Sequence, residues 1–310
     1  VKFDYYFYES QVEKEGKKIV DYLFKKGIAK KDQGAILIDL NNYNLGVFLV
    51  LKSDGTSLYA TKDLALARLK FEKYKIKKSI YVVDSRQSIY FQQLFKVLEL
   101  IGFNEGDMYH LPYEFVNFND KPISSRHGNL FLYEDFRDET LGRVISETKK
   151  RNSNLQDSKI KEISKKILIG AIKFEMLKYD NRKIINFKAN EALSFEGETG
   201  PYVQYTNARI NSILKKSKLT KKIDYSLFNE AEFTIIKKLS EFPEIIKESA
   251  LRYKPNLLCN YIIQLCQLFN NYYSKYEIKS SNERLLLASK INQVLSQGLA
   301  LLSIEAPESM

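Results

Sequence analysis

The sequence predicts an α/β domain followed by an all-helical domain, with the boundary between residues 186 and 200. Short apolar runs alternate with helix-length periodic segments through the first 140 residues, a pattern typical of a parallel α/β sheet. Strand signals disappear from about residue 157 onward, while helical periodicity continues to the end. A chain of 310 residues is also long for one domain and comfortable for two.

The first half alternates between helices and strands. Ser10-Gln11-Val12-Glu13 is a capping-box pattern, and it predicts a helix over 10–26 that stops at Gly27. The apolar runs 35–40 and 47–51, which are separated by Asn-rich turn residues, predict a strand pair. The remaining periodicities predict further elements, which are strands at 35–40, 47–51, 78–83 and 113–118 and helices at 61–74 and 87–101.

The pattern of the second half predicts helices only. Pro201 follows Thr199-Gly200 and is placed well for the first turn of a helix. An apolar stripe after Pro255 predicts a helix that packs in the core. The predicted helices are 157–179, 201–214, 230–239, 255–276 and 282–302.

Composition excludes several classes of protein. With 44% hydrophobic and 28% charged residues, the chain is neither disordered nor collagen-like, and no apolar stretch approaches the ~20 residues that span a bilayer. Cys259 and Cys266 lie seven residues apart, so we expect buried thiols rather than a disulfide. The His and Cys residues have no zinc spacing, so we expect no metal site.

The net charge of +11 favours an anionic partner. Residues 1–150 carry 24 basic and 21 acidic residues, and residues 151–310 carry 25 and 17. The second half, at +8 against +3, is therefore the better candidate for contact with a polyanion.

Three polar segments could carry chemistry in the α/β half. Tyr59 and Asp63 are four apart at a helix entry, where they could hold a cationic group, or where Asp63 could simply cap the helix. The segment 84–87 follows a strand, at the edge where ligands bind in open sheets, although a capping turn explains it equally well. The segment 121–129 has hydroxyls, an Arg, a His and a Gly, which suit a loop that closes on phosphates or form a solvated turn.

The helical half has its own candidate surface. Tyr202, Tyr205 and Arg209 place aromatic rings beside a cation, an arrangement that can stack on unpaired bases and meet phosphates. A lysine cluster at 215–222 follows, and a solvated loop is its simpler interpretation.

Five segments together resemble arginyl-tRNA synthetases, which are class I aminoacyl-tRNA synthetases. They are SDGTSLYATKD (53–63), IYVVDSRQSIYFQQL (80–94), ISSRHGN (123–129), LSFEGETGPYVQYTNARI (193–210) and IEAPESM (304–310). The third resembles this family's form of the second class I signature. The resemblance implies that 1–192 is the second part of a Rossmann-like catalytic domain with connecting helices, and that 193–310 is an all-α anticodon-binding bundle.

The resemblance also implies roles for individual residues. Tyr59, Asp63 and Gln87 would recognise arginine, with Asp63 pairing with the guanidinium. The catalytic signature loop, which would stabilise the ATP phosphates, comprises Ser124, Ser125, Arg126 and His127, flanked by the ATP-binding residues Lys121, Ile123 and Gly128. The residues at or near anticodon-contacting positions are Tyr202, Tyr205, Ala208, Phe269 and Met310.

The sequence departs from the broader class I pattern in two ways. In the Lys-Met-Ser-Lys-Ser form of the loop, the first lysine falls on Pro122 and the second on Ser125, and Lys121 could replace the first. There is no His-Ile-Gly-His signature, since the only histidines are His110 and His127. Because the family has that signature upstream and this chain starts at Val1, we expect a C-terminal part of a longer protein, inactive by itself.

The implied reaction is arginine–tRNA ligation. The partners would be tRNA(Arg), arginine and ATP, with Mg²⁺ arriving with ATP and no permanently bound cofactor. We expect a monomer in the cytoplasm, with an organelle as the open alternative. Two other functions stay open: a cysteinyl-type synthetase, disfavoured because no thiol or imidazole is near Tyr59 or Gln87, and a non-catalytic tRNA-binding protein derived from a synthetase.

Overall fold

The computed structural model describes residues 2–122, 132–151, 154–217, 223–308 and 310. The chain divides into two compact units, Val1–Tyr113 and Glu114–Met310. This division differs from the predicted domains 1–192 and 193–310, which are defined by function rather than by compactness and stay a prediction.

The first unit combines three helices with two small sheets. Its helices are α1 (Glu9–Lys25), α2 (Tyr59–Glu72) and α3 (Ser88–Leu100), and its strands are β1 (Ala29–Asp32), β2 (Ala35–Asp39), β3 (Val47–Leu51), β4 (Ser79–Asp84) and β5 (Met108–Tyr113). β1, β2 and β3 form an antiparallel sheet, whereas β4 and β5 pair in parallel with α3 between them in the chain. The predicted strand–helix–strand unit is thus present.

One buried cluster joins these elements. The apolar faces of α1, α2 and α3 contribute Leu23, Leu64 and Leu94, which are fully buried against Ile38 and Val50 of the antiparallel sheet. Burying side chains of this size contributes about 1.5–3 kcal/mol each, so this cluster fixes the position of α2.

The second unit is helical apart from one small sheet. Its strands are β6 (Val116–Phe118), β7 (Lys121–Pro122) and β8 (Ile185–Phe187), and its helices are α4 (Tyr133–Arg151), α5 (Asp157–Leu177), α6 (Ala189–Ala192), α7 (Gly200–Lys215), α8 (Glu230–Ser240), α9 (Phe242–Arg252), α10 (Pro255–Tyr273) and α11 (Asn282–Leu301). β6 pairs antiparallel with β7 and parallel with β8. The main core lies among α7, α10 and α11, and contains both free cysteines, as expected.

Several sequence expectations need correction. α1 begins at Glu9, because the Tyr8 amide donates to the Gln11 side chain at 3.2 Å, so Ser10 lies inside the helix rather than capping it. The predicted strand 113–118 is wrong as one element, since it covers the end of β5 and all of β6. The strand signal does not end before residue 157, because β8 adds a strand at Ile185–Phe187.

Candidate functional site

The segment 53–63 forms a turn and the first part of α2. Asp54 accepts the Thr56 amide at 2.8 Å, and Gly55 takes φ +78°, a left-handed conformation that glycine adopts without a steric penalty. Thr61, fully buried, accepts the Leu58 amide at 3.1 Å and donates to the Val50 carbonyl of β3. The start of α2 is therefore fastened to the antiparallel sheet.

The other side of this helix start lies against α1. A Cβ built on Gly16 would lie 2.3 Å from the Thr61 carbonyl oxygen, so the two helix backbones touch where only glycine fits. Ser57 donates to Glu13 at 3.0 Å, and Lys62 pairs with Glu9. Contacts on both sides therefore determine where Tyr59 and Asp63 lie.

The predicted arginine-recognition residues occupy different surroundings. Tyr59 is 73% exposed, Asp63 is half-buried, and Gln87 is exposed in the turn between β4 and α3. Among the described residues, the hydrogen bond to the Asp63 carboxylate comes from Tyr90 of α3, and no hydrogen bond links the carboxylate to Tyr59 or Gln87. The structure thus brings Asp63 together with a residue that the sequence interpretation did not include.

Asp63 lies in a low-dielectric environment, and Lys70 is the cation among the described residues whose charge acts on it. Burial raises the pKa of Asp63, against the hydrogen bond from Tyr90 and the charge of Lys70, which lower it. Burial lowers the pKa of Lys70 to about 8. The Lys70 ammonium donates to Ser79 Oγ at 2.8 Å and lies 4.1 Å from the Tyr81 ring centroid, and within the described residues no Lys or Arg forms an ion pair with Asp63.

The turn 84–87 has a structural role of its own. Asp84 accepts the Arg86 amide at 2.9 Å and binds the Arg86 guanidinium at 2.8 and 3.1 Å. The capping interpretation therefore holds for Asp84, and it leaves Gln87 exposed at the carboxyl end of β4, where ligands bind in parallel sheets.

The predicted signature loop falls outside the described residues. That holds for Ile123, Ser124, Ser125, Arg126, His127 and Gly128, and of Lys121 only the backbone is described, in β7. Their roles in binding ATP stay predictions.

The helical unit has an aromatic and cationic pocket of about 620 Å³. Asn270 of α10 donates to the Tyr202 hydroxyl at 2.9 Å and accepts from Arg209 at 3.0 Å. The Arg209 guanidinium lies 4.7 Å from the Tyr205 ring and 5.4 Å from the Tyr273 ring. Arg151 of α4 lies over the Phe195 ring at 4.3 Å on another wall.

The other predicted anticodon residues are less accessible. Ala208 is buried, and Phe269 has no exposed surface and stacks on Tyr273 inside the core. Met310 is half-buried in a cluster with Val144 and Ile167. Direct base contact is thus open to Tyr202 and Tyr205 in this structure but not to the ring of Phe269.

The sequence interpretation missed Asn270 and Arg151, which belong to the pocket through contacts between distant helices. Of the predicted lysine cluster, Lys215 pairs with Glu308 at 2.6 Å, and residues 218–222 are not described. In the described ranges, no three metal-binding side chains gather into a cluster, and no helix has the length and apolarity to cross a membrane.

Comparisons with known proteins match both halves of the chain. The class I tRNA synthetase (R) catalytic domain matches residues 4–189, and the DALR anticodon-binding domain matches residues 203–310. The arginine–tRNA ligases of Lactococcus lactis subsp. cremoris and Bdellovibrio bacteriovorus are each 38% identical to this chain, cover all of it, and are themselves covered over 56% and 55% of their lengths. The chain thus spans about half the length of these relatives.

The solved structure of Thermus thermophilus arginyl-tRNA synthetase superposes with a TM-score of 0.87 at 27% identity, over 97% of this chain and 58% of that one. The predicted fold class, a catalytic α/β domain followed by a helical anticodon-binding domain, is confirmed.

Proposed function

We propose an activity for this chain on the premise that it belongs to the family of class I arginyl-tRNA synthetases: in the full-length protein it joins arginine to tRNA(Arg) at the expense of ATP. The arginine carboxylate attacks the α-phosphate of ATP, giving arginyl-adenylate and releasing pyrophosphate. The terminal ribose hydroxyl of the tRNA then attacks the activated carbonyl and releases AMP. Mg²⁺ enters with ATP as part of the substrate.

Asp63 carries the arginine half of this proposal. Its carboxylate is half-buried, accepts a hydrogen bond from Tyr90, and has no ion-pair partner among the described residues. A carboxylate in such surroundings gains most from a planar cation that can bind both oxygens, which is what a guanidinium offers. Tyr59 and Gln87 lie at the ends of neighbouring elements and would complete the pocket when arginine binds.

The tRNA half rests on the pocket around Arg209. Aromatic rings interleaved with guanidinium groups suit unpaired bases and their phosphates, and the pocket has both, in Tyr202, Tyr205 and Arg209. The loop residues Ser124, Ser125, Arg126 and His127 would neutralise charge that develops on the transferring phosphate. The predicted monomer and cytoplasmic location stay predictions.

The decisive measurement is amino-acid-dependent exchange of pyrophosphate into ATP, made with the full-length protein and tRNA(Arg). We expect exchange with arginine and none with citrulline, which has the same shape but a neutral urea group. Exchange with cysteine would favour the cysteinyl alternative, and tRNA binding without exchange for any amino acid would favour the non-catalytic alternative.

The 310-residue chain alone should not catalyse that exchange. Adenylate formation needs groups on both sides of the ATP phosphates, and half a nucleotide site loses both their charge and their positioning. The same assay on the isolated chain checks this, with the full-length protein as the positive control. Arginine-dependent exchange by the isolated chain would refute the prediction.

A further inference from the structure

The Asp63 side chain by itself does not hold its carboxylate in one orientation. A bidentate pair with a guanidinium requires the plane of the carboxylate to be fixed, because two parallel hydrogen bonds form only when both planes align. Asp63 lies one turn into α2 and has a short side chain with two rotatable bonds. A neighbouring group must therefore hold the carboxylate if recognition is to be specific.

Tyr90 is that neighbour. Its hydroxyl donates to Asp63 Oδ2, and because a carboxylate accepts at four lone-pair positions, this bond leaves room for a bidentate ligand. The Tyr90 ring is itself held, with the Phe48 ring centroid at 5.6 Å and the Phe91 ring edge-on at 5.3 Å. The donor thus sits on a packed ring at the start of α3, not on a mobile side chain.

Some of the charged and titratable groups facing Asp63 raise its pKa and others lower it. Lys70 of α2 and the hydrogen bond from Tyr90 lower the pKa of Asp63, whereas burial and Glu9 of α1 raise it. On the β4 side lies the Tyr81 hydroxyl, whose own pKa is raised by burial and by Asp63. Without the Tyr90 hydroxyl, the pKa of Asp63 would lose one of the interactions that lower it against the effect of burial.

We propose that Tyr90 is a positioning residue for arginine recognition, which orients the Asp63 carboxylate toward the guanidinium. This inference rests on the proposed function. It adds to the three recognition residues a fourth that acts through Asp63 rather than on the substrate.

The test is Tyr90→Phe in the full-length protein, which removes the hydroxyl and keeps the ring. Hydrogen bonds to charged groups are worth enough that we expect kcat/KM for arginine to fall about tenfold to a hundredfold, with KM for ATP unchanged. The acid limb of the pH profile of kcat/KM should move to higher pH, because Asp63 loses an interaction that lowers its pKa. Tyr74→Phe is the matched control, because the Tyr74 ring is likewise packed edge-on, against Tyr5 and Phe7. It should change neither kcat/KM for arginine nor the acid limb of the pH profile.

A double-mutant cycle separates positioning from a general structural role. If Tyr90 acts through Asp63, Tyr90→Phe should cause no further loss in an Asp63→Ala background, where no side-chain oxygen accepts from Tyr90, whereas a structural defect would add its full loss there. The double-mutant cycle also separates the two roles if Tyr90→Phe lowers stability, because each comparison is made at a matched concentration of folded protein.

The possible failures are distinguishable. Unchanged arginine kinetics and an unshifted acid limb in Tyr90→Phe, with an active wild type, would overturn the positioning role and leave the proposed function intact. A wild-type protein without arginine-dependent exchange would overturn the proposed function, and this inference with it.

Discussion

Position 63 combines partial burial with a negative charge that no described Lys or Arg neutralises at ion-pair distance. Removing water from a carboxylate costs free energy, and a protein recovers that cost when a cationic partner arrives. Under the proposed function, this arrangement would discriminate by charge, because a neutral analogue of arginine would leave the half-buried carboxylate without a cationic partner.

Asp63→Asn keeps the shape of the side chain and removes its charge. In the full-length protein we expect a loss on the order of 2–4 kcal/mol in arginine recognition, seen as a higher KM for arginine in the exchange assay. Asp21→Asn, the same change on the exposed side of α1, serves as the control and should be neutral. An unchanged KM for arginine in Asp63→Asn would count against this pocket.

The sequence pointed to Asp63 but could not point to Tyr90. The spacing of Tyr59 and Asp63 is local, so helical periodicity was sufficient to place both at the start of α2. The contact with Tyr90 joins two helices, and the two residues lie 27 positions apart in the sequence. In a chain with 21 tyrosines, composition does not distinguish one of them.

At the scale of elements, the crossing of α5 and α7 determines the position of the pocket around Arg209. Thr199 caps α7 by accepting the Tyr202 amide at 3.1 Å, and the helix begins at Gly200, where it closely approaches α5. A Cβ at position 200 would lie 2.6 Å from the Gly170 carbonyl oxygen and 2.9 Å from Phe174 Cβ. The helix that carries Tyr202, Tyr205 and Arg209 can therefore approach α5 only with glycine there.

Gly200→Ala should destabilise the protein by about 1–3 kcal/mol, because overpacking forces backbones apart. Gly142→Ala, at an exposed site in α4 with nothing within 4 Å of a new Cβ, should instead stabilise it by about 0.5–1 kcal/mol through helix propensity. Thermal unfolding of the two variants beside the wild type measures both. Equal stability of all three would mean that the helix contact is looser than described.

The elements that were predicted well are those whose ends are marked by local residues, such as a glycine after a helix. The helices predicted over 10–26 and 87–101 are each followed by a glycine with positive φ, Gly27 at +70° and Gly102 at +99°. β8 is only three residues long and pairs with β6 across a long separation in the chain, so no local signal announces it. The predicted strand 113–118 includes only the last residue of β5, which contains Pro112, and proline is unusual within a strand.

At the scale of the whole molecule, charge is unevenly distributed along the chain, with +8 in residues 151–310 against +3 before them. Nucleic acids release bound counterions when cationic side chains replace them, which makes their binding weaken as salt rises. The helical half should therefore bind tRNA mainly through electrostatic contacts, with the aromatic pocket adding stacking.

Binding of labelled tRNA(Arg) to the full-length protein, measured by fluorescence anisotropy, should weaken steadily between low and physiological salt. The logarithm of the association constant should fall linearly with the logarithm of the salt concentration. Arg209→Gln should reduce both the affinity and the slope, since one cation is lost. A flat salt dependence in the wild type would mean that the basic surface is not the RNA contact.

The contact between Gly16 and the Thr61 carbonyl oxygen links α1 to the helix that carries Asp63. A larger residue at position 16 would push on the first turn of α2, two residues before Asp63, and should shift the Asp63 carboxylate. Under the proposed function, laboratory evolution toward an unnatural amino acid would therefore gain from randomising position 16 as well as the residues around Asp63, because libraries limited to those residues would never sample it.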